Sequence, residues 1–205
     1  MKRIMTLIML LAGVSCSDGS EDSRAICALV DASGTYVDER GTAVRLLQRT
    51  LVRELRAGDT VILGTINSRS YDPGNIEFRT QIASRPSVAV QQRVKVAEAL
   101  HRMSEPERGA RYTDISGGVL LCRDLLSETD SRHRSVRLLS DLVEERKPGD
   151  VRELDALHGI GVTAINVKRM ERDQRDPARY RRRLDAFGKR IRDGGATSFS
   201  VVASV

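Results

Sequence analysis

The chain has 205 residues, 40% apolar and 30% charged, with a net charge of +6. This suits one globular domain behind a targeting segment and excludes both a disordered polyelectrolyte and a set of several domains. Aromatic residues make up only 3% and tryptophan is absent, so the core must rest on Leu, Val, Ile and Ala. Base stacking on aromatic platforms, and with it a nucleic-acid partner, is not expected.

The N-terminus reads as an export signal. Lys2-Arg3 is a positive n-region, and Ile4 to Ala12 is apolar except for Thr6. That run is too short to span a bilayer and fits a secretory signal peptide. The segment Leu11-Ala12-Gly13-Val14-Ser15-Cys16 resembles the lipobox of bacterial lipoproteins, whose Cys is lipidated and becomes the first residue. Gly13 departs from that pattern, where an aliphatic is usual. Gly13 and Ser15 also suit an ordinary signal peptidase. The expected organisation is a signal peptide over 1–15, a lipidated Cys16 with a flexible tether over 16–23, and one folded domain over 24–205. The expected location is the bacterial cell envelope, anchored and facing the periplasm. A soluble periplasmic protein is the alternative.

Beyond the tether, strands and helices alternate. Arg24 to Val30 is an uncharged run after its first residue and reads as a buried parallel strand. Val37 to Arg56 is a helix with Val44, Leu47, Leu51 and Leu55 on one stripe, stopped by Gly58. Thr60 to Ile66 is a second strand. The turn Tyr71-Asp72-Pro73-Gly74 leads into an edge strand over Asn75 to Ile82, expected to be antiparallel.

Pro86 opens a helix running to about Met103, with Val90, Val94, Ala97 and Leu100 as its stripe. Thr113 reads as the N-cap of a helix carrying Ile115, Val119, Cys122 and Leu126. Ser135 to Ser140 is a third buried strand ending in Asp141. Asp150 to Leu157 is expected to be a short helix and Val162 to Val167 a strand. Asp176 caps a last helix, begun by Pro177 and buried through Tyr180, Leu184, Phe187 and Ile191. Ser198 to Val205 closes the sheet. The alternation predicts an α/β fold: a doubly wound, mostly parallel six-stranded sheet with one antiparallel edge strand and helices on both faces.

Three segments place oxygen ligands on one rim of such a sheet. They are Asp31-Ala-Ser33-Gly-Thr35 after the first strand, Thr113-Asp114 at a helix start, and Asp141 at the end of the third strand. Carboxylates and hydroxyls are hard donors that suit Mg²⁺ or Mn²⁺. Imidazole and thiolate are absent from them, which argues against zinc. His101, His133 and His158 lie in different elements and read as surface or packing residues.

Asp31-Ala-Ser33-Gly-Thr35, Tyr112-Thr113-Asp114-Ile115 and Leu138-Leu139-Ser140-Asp141 resemble the metal-ion-dependent adhesion site of von Willebrand factor type A (VWA) domains. The likeness covers roughly Arg24 to Val205. It implies that Asp31, Ser33, Thr35, Thr113 and Asp141 hold a divalent cation, Mg²⁺ or Mn²⁺, and that a protein ligand completes the coordination with a carboxylate. The protein is then a binding module and not an enzyme. Leu142 follows Asp141 where that family frequently has Gly, so a differently shaped third loop is expected. One alternative is a VWA-like scaffold that binds partners without metal. Another follows from a second likeness: Asp31-x-Ser33-Gly34-Thr35 resembles the first motif of haloacid-dehalogenase-type phosphatases, which would make Asp31 a nucleophile. There Ser33 replaces the usual general acid, and no later Gly-Asp…Asp metal motif follows.

Two features stay open. Cys27 lies ~13 Å down its strand from Asp31, and Cys122 ~13 Å down its helix from Thr113. Similar depth does not make the Cβ vectors face each other, so two buried thiols are expected, with a disulfide as the alternative. From Lys168 to Asp193 there are 11 basic against 5 acidic residues. Arg179, Arg182, Arg183 and Lys189 are expected on the outside of the last helix, as a solvated face, with a patch for lipid head groups as the alternative.

Overall fold

The computed structural model describes residues 22–105, 109–147, 149, 151–169, 173 and 176–202. The expected signal peptide, Cys16 and most of the tether lie outside the described residues, as do 203–205 of the expected last strand.

Six strands form one sheet in the order β3-β2-β1-β4-β5-β6. β1 (Arg24–Asp31) sits centrally and pairs in parallel with β2 (Thr60–Ile66) and β4 (His133–Leu139). β5 (Ile160–Ile165) and β6 (Ser198–Val202) continue the parallel series. β3 (Ile76–Gln81) is antiparallel to β2 and forms the edge. Helices α1 (Val37–Glu54) and α2 (Pro86–Met103) cover one face, and α3 (Ile115–Ser127) and α4 (Pro177–Asp193) the other. The doubly wound α/β fold expected from the sequence is the fold observed.

β1 reads as a continuous apolar run because both its faces are covered. Ile26, Ala28 and Val30 pack under α1 and α2, while Ala25, Cys27 and Leu29 pack under α3 and α4. α1 buries Val44, Leu47 and Leu51, and α3 buries Ile115, Val119, Cys122 and Leu126. Below the sheet, the buried Asp59 carboxylate accepts from the Arg24 N–H at 3.1 Å and the Arg56 N–H at 2.8 Å. The Arg24 guanidinium pairs with the same carboxylate.

The helix expected from Asp150 to Leu157 is not formed. Residues 151–157 are irregular, and Ala156 has φ 51°. The backbone groups find partners outside the segment instead. The Leu157 N–H donates to the Gly194 carbonyl at 2.9 Å, and the Asp155 carbonyl accepts from Arg123 at 3.2 Å. Asp150 itself lies outside the described residues.

α2 keeps its expected bounds but is rotated. Ala89, Val96, Ala99, Leu100 and Met103 face inward, while Val90 and Val94 are 57% and 50% exposed. Small alanines at 89 and 99 let the helix lie close to the sheet, and the larger valines are left outside.

Cys27 and Cys122 form a disulfide, with Cα atoms 5.8 Å apart. The expectation of two separate thiols is thereby corrected. α3 lies directly over β1, and its buried stripe points Cys122 at the inward-facing Cys27.

Candidate metal centre

The site is set by topology. From β1 the chain crosses to β2 on one side, and β4 returns on the other side of β1. Ligands bind at such a switch point, beyond the carboxyl ends of the strands. The register Val30↔Leu139 brings Asp31 beside Ser140. The Ser140 hydroxyl donates to Asp31 Oδ2 at 2.6 Å, and the Ser33 N–H donates to Asp31 Oδ1 at 2.8 Å. The Ser33 and Thr35 hydroxyls lie 3.2 Å apart.

The second segment joins the same rim. The Ala110 N–H donates to the Ala32 carbonyl at 2.9 Å, and Ser33 bridges to Ala110. Thr113 and Glu145 exchange backbone hydrogen bonds of 2.6 and 3.0 Å, which ties the second segment to the third. Asp141 is buried there. Its Oδ1 accepts from the Val143 N–H at 2.8 Å, and its Oδ2 has no hydrogen-bond partner among the described residues. The fold therefore brings Asp31, Ser33, Thr35, Thr113 and Asp141 to one rim.

Burial pushes the Asp31 carboxyl above the usual aspartate range. Hydrogen bonds from Ser140 and Ser33 oppose the shift, and the charge of Asp141 adds to it. An acceptor-only carboxylate oxygen buried without a donor is costly, and a cation facing Asp141 Oδ2 would relieve both groups. Two carboxylates with hydroxyls from Ser33, Thr35 and Thr113 match the donor chemistry of Mg²⁺ or Mn²⁺. No group of three or more His, Cys, Asp or Glu side chains suited to a metal occurs among the described residues. An ion here would thus depend on hydroxyls and water as much as on carboxylates.

Thr113 is not the helix cap. Asp114 is: its side chain accepts from the Gly117 N–H at 2.8 Å. The same carboxylate lies 3.3 Å from the Arg152 guanidinium. Capping by Asp114 leaves the Thr113 hydroxyl uncommitted to the helix end.

Leu142 has φ 59°, in the left-handed region that glycine enters without cost. The third loop thus keeps a glycine-like backbone while burying a leucine in the core, so the expected change of loop shape is not a change of backbone region.

Several residues of the rim carry no sequence signal of their own. Ser140 orients Asp31. The buried Arg40 donates from Nε to the Asp31 carbonyl at 3.1 Å. Glu144 accepts from the Ser116 N–H at 2.7 Å and from Arg190 at 2.8 Å, locking the third loop to α3 and α4. Ser140 stood inside the quoted motif, whereas Arg40 and Glu144 look like ordinary surface charges until the fold is known.

Solved structures share this architecture. The conserved hypothetical protein BatB from Bacteroides thetaiotaomicron is 17% identical, with 89% of this chain and 91% of that one covered at a TM-score of 0.54. An aerotolerance-related membrane protein from Bacteroides fragilis is 12% identical, with 89% and 92% covered at 0.51. A von Willebrand factor type A structure from Catenulispora acidiphila is 14% identical, with 90% of this chain and 39% of that one covered at 0.50. No protein-family model matches the sequence, and no curated protein matches it. At these identities the likeness is one of fold: the chain is a VWA-like α/β module.

Proposed function

We propose that this chain is an exported binding module of the bacterial cell envelope, anchored by lipid on Cys16, which recognises a carboxylate of a protein ligand through Mg²⁺ or Mn²⁺ held at Asp31, Ser33, Thr35, Thr113 and Asp141. The observation that carries the reading is the pair of buried carboxylates on one rim, with Asp141 Oδ2 lacking a donor and Asp31 shifted upward. The hydroxyls leave an ion there short of anionic ligands, so an incoming Asp or Glu would bind it well.

A phosphatase reading fits less well. Ser33 stands where that motif carries the Asp that serves as general acid. The buried disulfide supports export, because disulfides persist in oxidising compartments. One structural neighbour being a membrane protein is in keeping with an envelope location. No helix among the described residues is long and apolar enough to cross a membrane.

The test is calorimetric titration of the purified protein with Mg²⁺ and Mn²⁺. One ion should bind per chain, and Asp31→Ala should abolish the heat while circular dichroism stays native. Equal affinity in both proteins would overturn the site assignment.

A further inference from the structure

The end of the molecule opposite the metal rim carries a surface of different chemistry. Arg24, where β1 begins, reaches the last turn of α1 through the Glu54 carbonyl. There Arg93 of α2 donates to the Leu55 carbonyl at 2.9 Å, fixing the first half of α2 beside the end of α1. Between the two helices runs a shallow groove lined by Arg45, Gln48, Arg49, Val52, Arg53 and Ala97. Arg45, Arg49 and Arg53 recur every four residues and are exposed, one stripe of an α-helix. On α2, Ala97 lines the groove, Val90 and Val94 share its helix stripe, and both valines are more exposed than is usual for their type. Arg49 and Arg53 make no ion pair among the described residues. Glu98 is the acid beside the valines, and Glu54 is taken by Arg137 at 2.8 Å.

α4, by contrast, spends much of its positive charge internally. Arg182 pairs with Asp176 at 2.6 Å and Arg190 with Glu144 at 2.8 Å. Arg183, expected outside, is only 12% exposed and pairs with the buried Asp173 at 2.8 Å. Arg179, Arg182 and Lys189 are exposed as expected, but Arg182 and Lys189 pair with Asp176 and Asp193 and Arg183 is withdrawn, which reduces the free charge of that face.

We propose that the groove between α1 and α2 lies against the anionic phospholipid headgroups of the membrane that holds Cys16, with Arg45, Arg49 and Arg53 meeting phosphates and Val90 and Val94 entering the headgroup layer. The inference rests on the lipid anchor proposed above. What selects this occupant is reach. Eight residues separate Cys16 from Arg24, at most ~29 Å of extended chain, so an anchored domain keeps its Arg24 end within that distance of the bilayer. Basic residues around exposed aliphatics on a helix flank are the chemistry of an anionic interface. The metal rim lies at the other end of β1, a strand length of ~23 Å from Arg24, outside the groove.

The experiment uses the full chain carrying Cys16→Ser and Val94→Cys, with an environment-sensitive fluorophore on the new thiol. Cys27 and Cys122 are bonded to each other, so the label is unique. A second protein carries the label at Asp185→Cys, exposed on α4 on the other face of the sheet. Vesicles contain phosphatidylglycerol in phosphatidylcholine, or phosphatidylcholine alone. At low salt the label at 94 should brighten several-fold and shift to the blue on the anionic vesicles only. The label at 185 should not change. Arg49→Glu with Arg53→Glu should remove the response, as should salt that shortens the screening length from ~30 Å to ~3 Å. The apolar leader is present throughout, so vesicle capture alone counts for nothing. A label at 94 that stays in water, as it would if the groove served an acidic protein, overturns the proposal. A response that is equal on neutral vesicles, or that survives the charge reversal, also overturns it. Failure of the anchor is read separately, from the mass of the Cys16 peptide in cells, which no result at position 94 alters.

Discussion

Asp31 is where proton and cation compete. Its carboxyl is raised by burial and by Asp141, so between the unfolded aspartate value of ~3.9 and the raised native value the folded chain binds more protons than the unfolded one. Stability of the metal-free protein therefore falls as pH rises through that window. Asparagine at 31 mimics the neutral acid. The difference in thermal midpoint between metal-free Asp31→Asn and wild type should shrink as pH is lowered through the window. A difference that stays constant with pH would show that Asp31 titrates normally. At the proposed metal site, cation binding would have to displace the proton, so affinity for Mg²⁺ should fall on acidification.

At the scale of elements, the disulfide joins the central strand to the helix that starts at the metal rim. It closes a loop with a sequence separation of 95, long enough to reach the upper part of the usual range of about 2–5 kcal/mol. Cys27→Ala with Cys122→Ala should lower the unfolding free energy read from urea titration by that order, and thiol titration of the denatured, unprocessed chain should find Cys16 but neither of the other two. Two further reactive thiols would refute the pairing. The buried strands and α1, α3 and α4 were legible because their apolar spacing is unambiguous. The face of α2 was not, since weighting Val above Ala selected Val90 and Val94, while packing selected Ala89 and Ala99 for their size. The segment over 151–157 was misread because its backbone is satisfied by Gly194 and Arg123, which are distant in sequence. Of the rim, the oxygen-bearing residues after β1, before α3 and after β4 singled out Asp31, Ser33, Thr35, Thr113 and Asp141. Ser140 lies inside the third motif, but its bond to Asp31 depends on strand register, and Arg40 and Glu144 act through long-range contacts that no local pattern contains.

For the whole molecule, the signals converge on a location. A cytoplasmic protein has little use for a buried disulfide, since thiols are kept reduced there. Lys2-Arg3, the apolar run after it and Cys16 would supply the route out of the cytoplasm that the proposed export needs. The folded domain begins at Arg24, whose side chain is held by Asp59, so cleavage before Cys16 leaves every described contact in place. Mass spectrometry of the membrane fraction should therefore find a chain starting at an acylated Cys16, with Cys27 and Cys122 oxidised. An unmodified N-terminal Cys16 in the soluble periplasm would instead identify the ordinary peptidase, in keeping with Gly13 and Ser15. That outcome removes the anchor, and with it the ~29 Å limit that orients the α1–α2 groove toward lipid. A full-length reduced chain in the cytoplasm would defeat both routes and the disulfide at once.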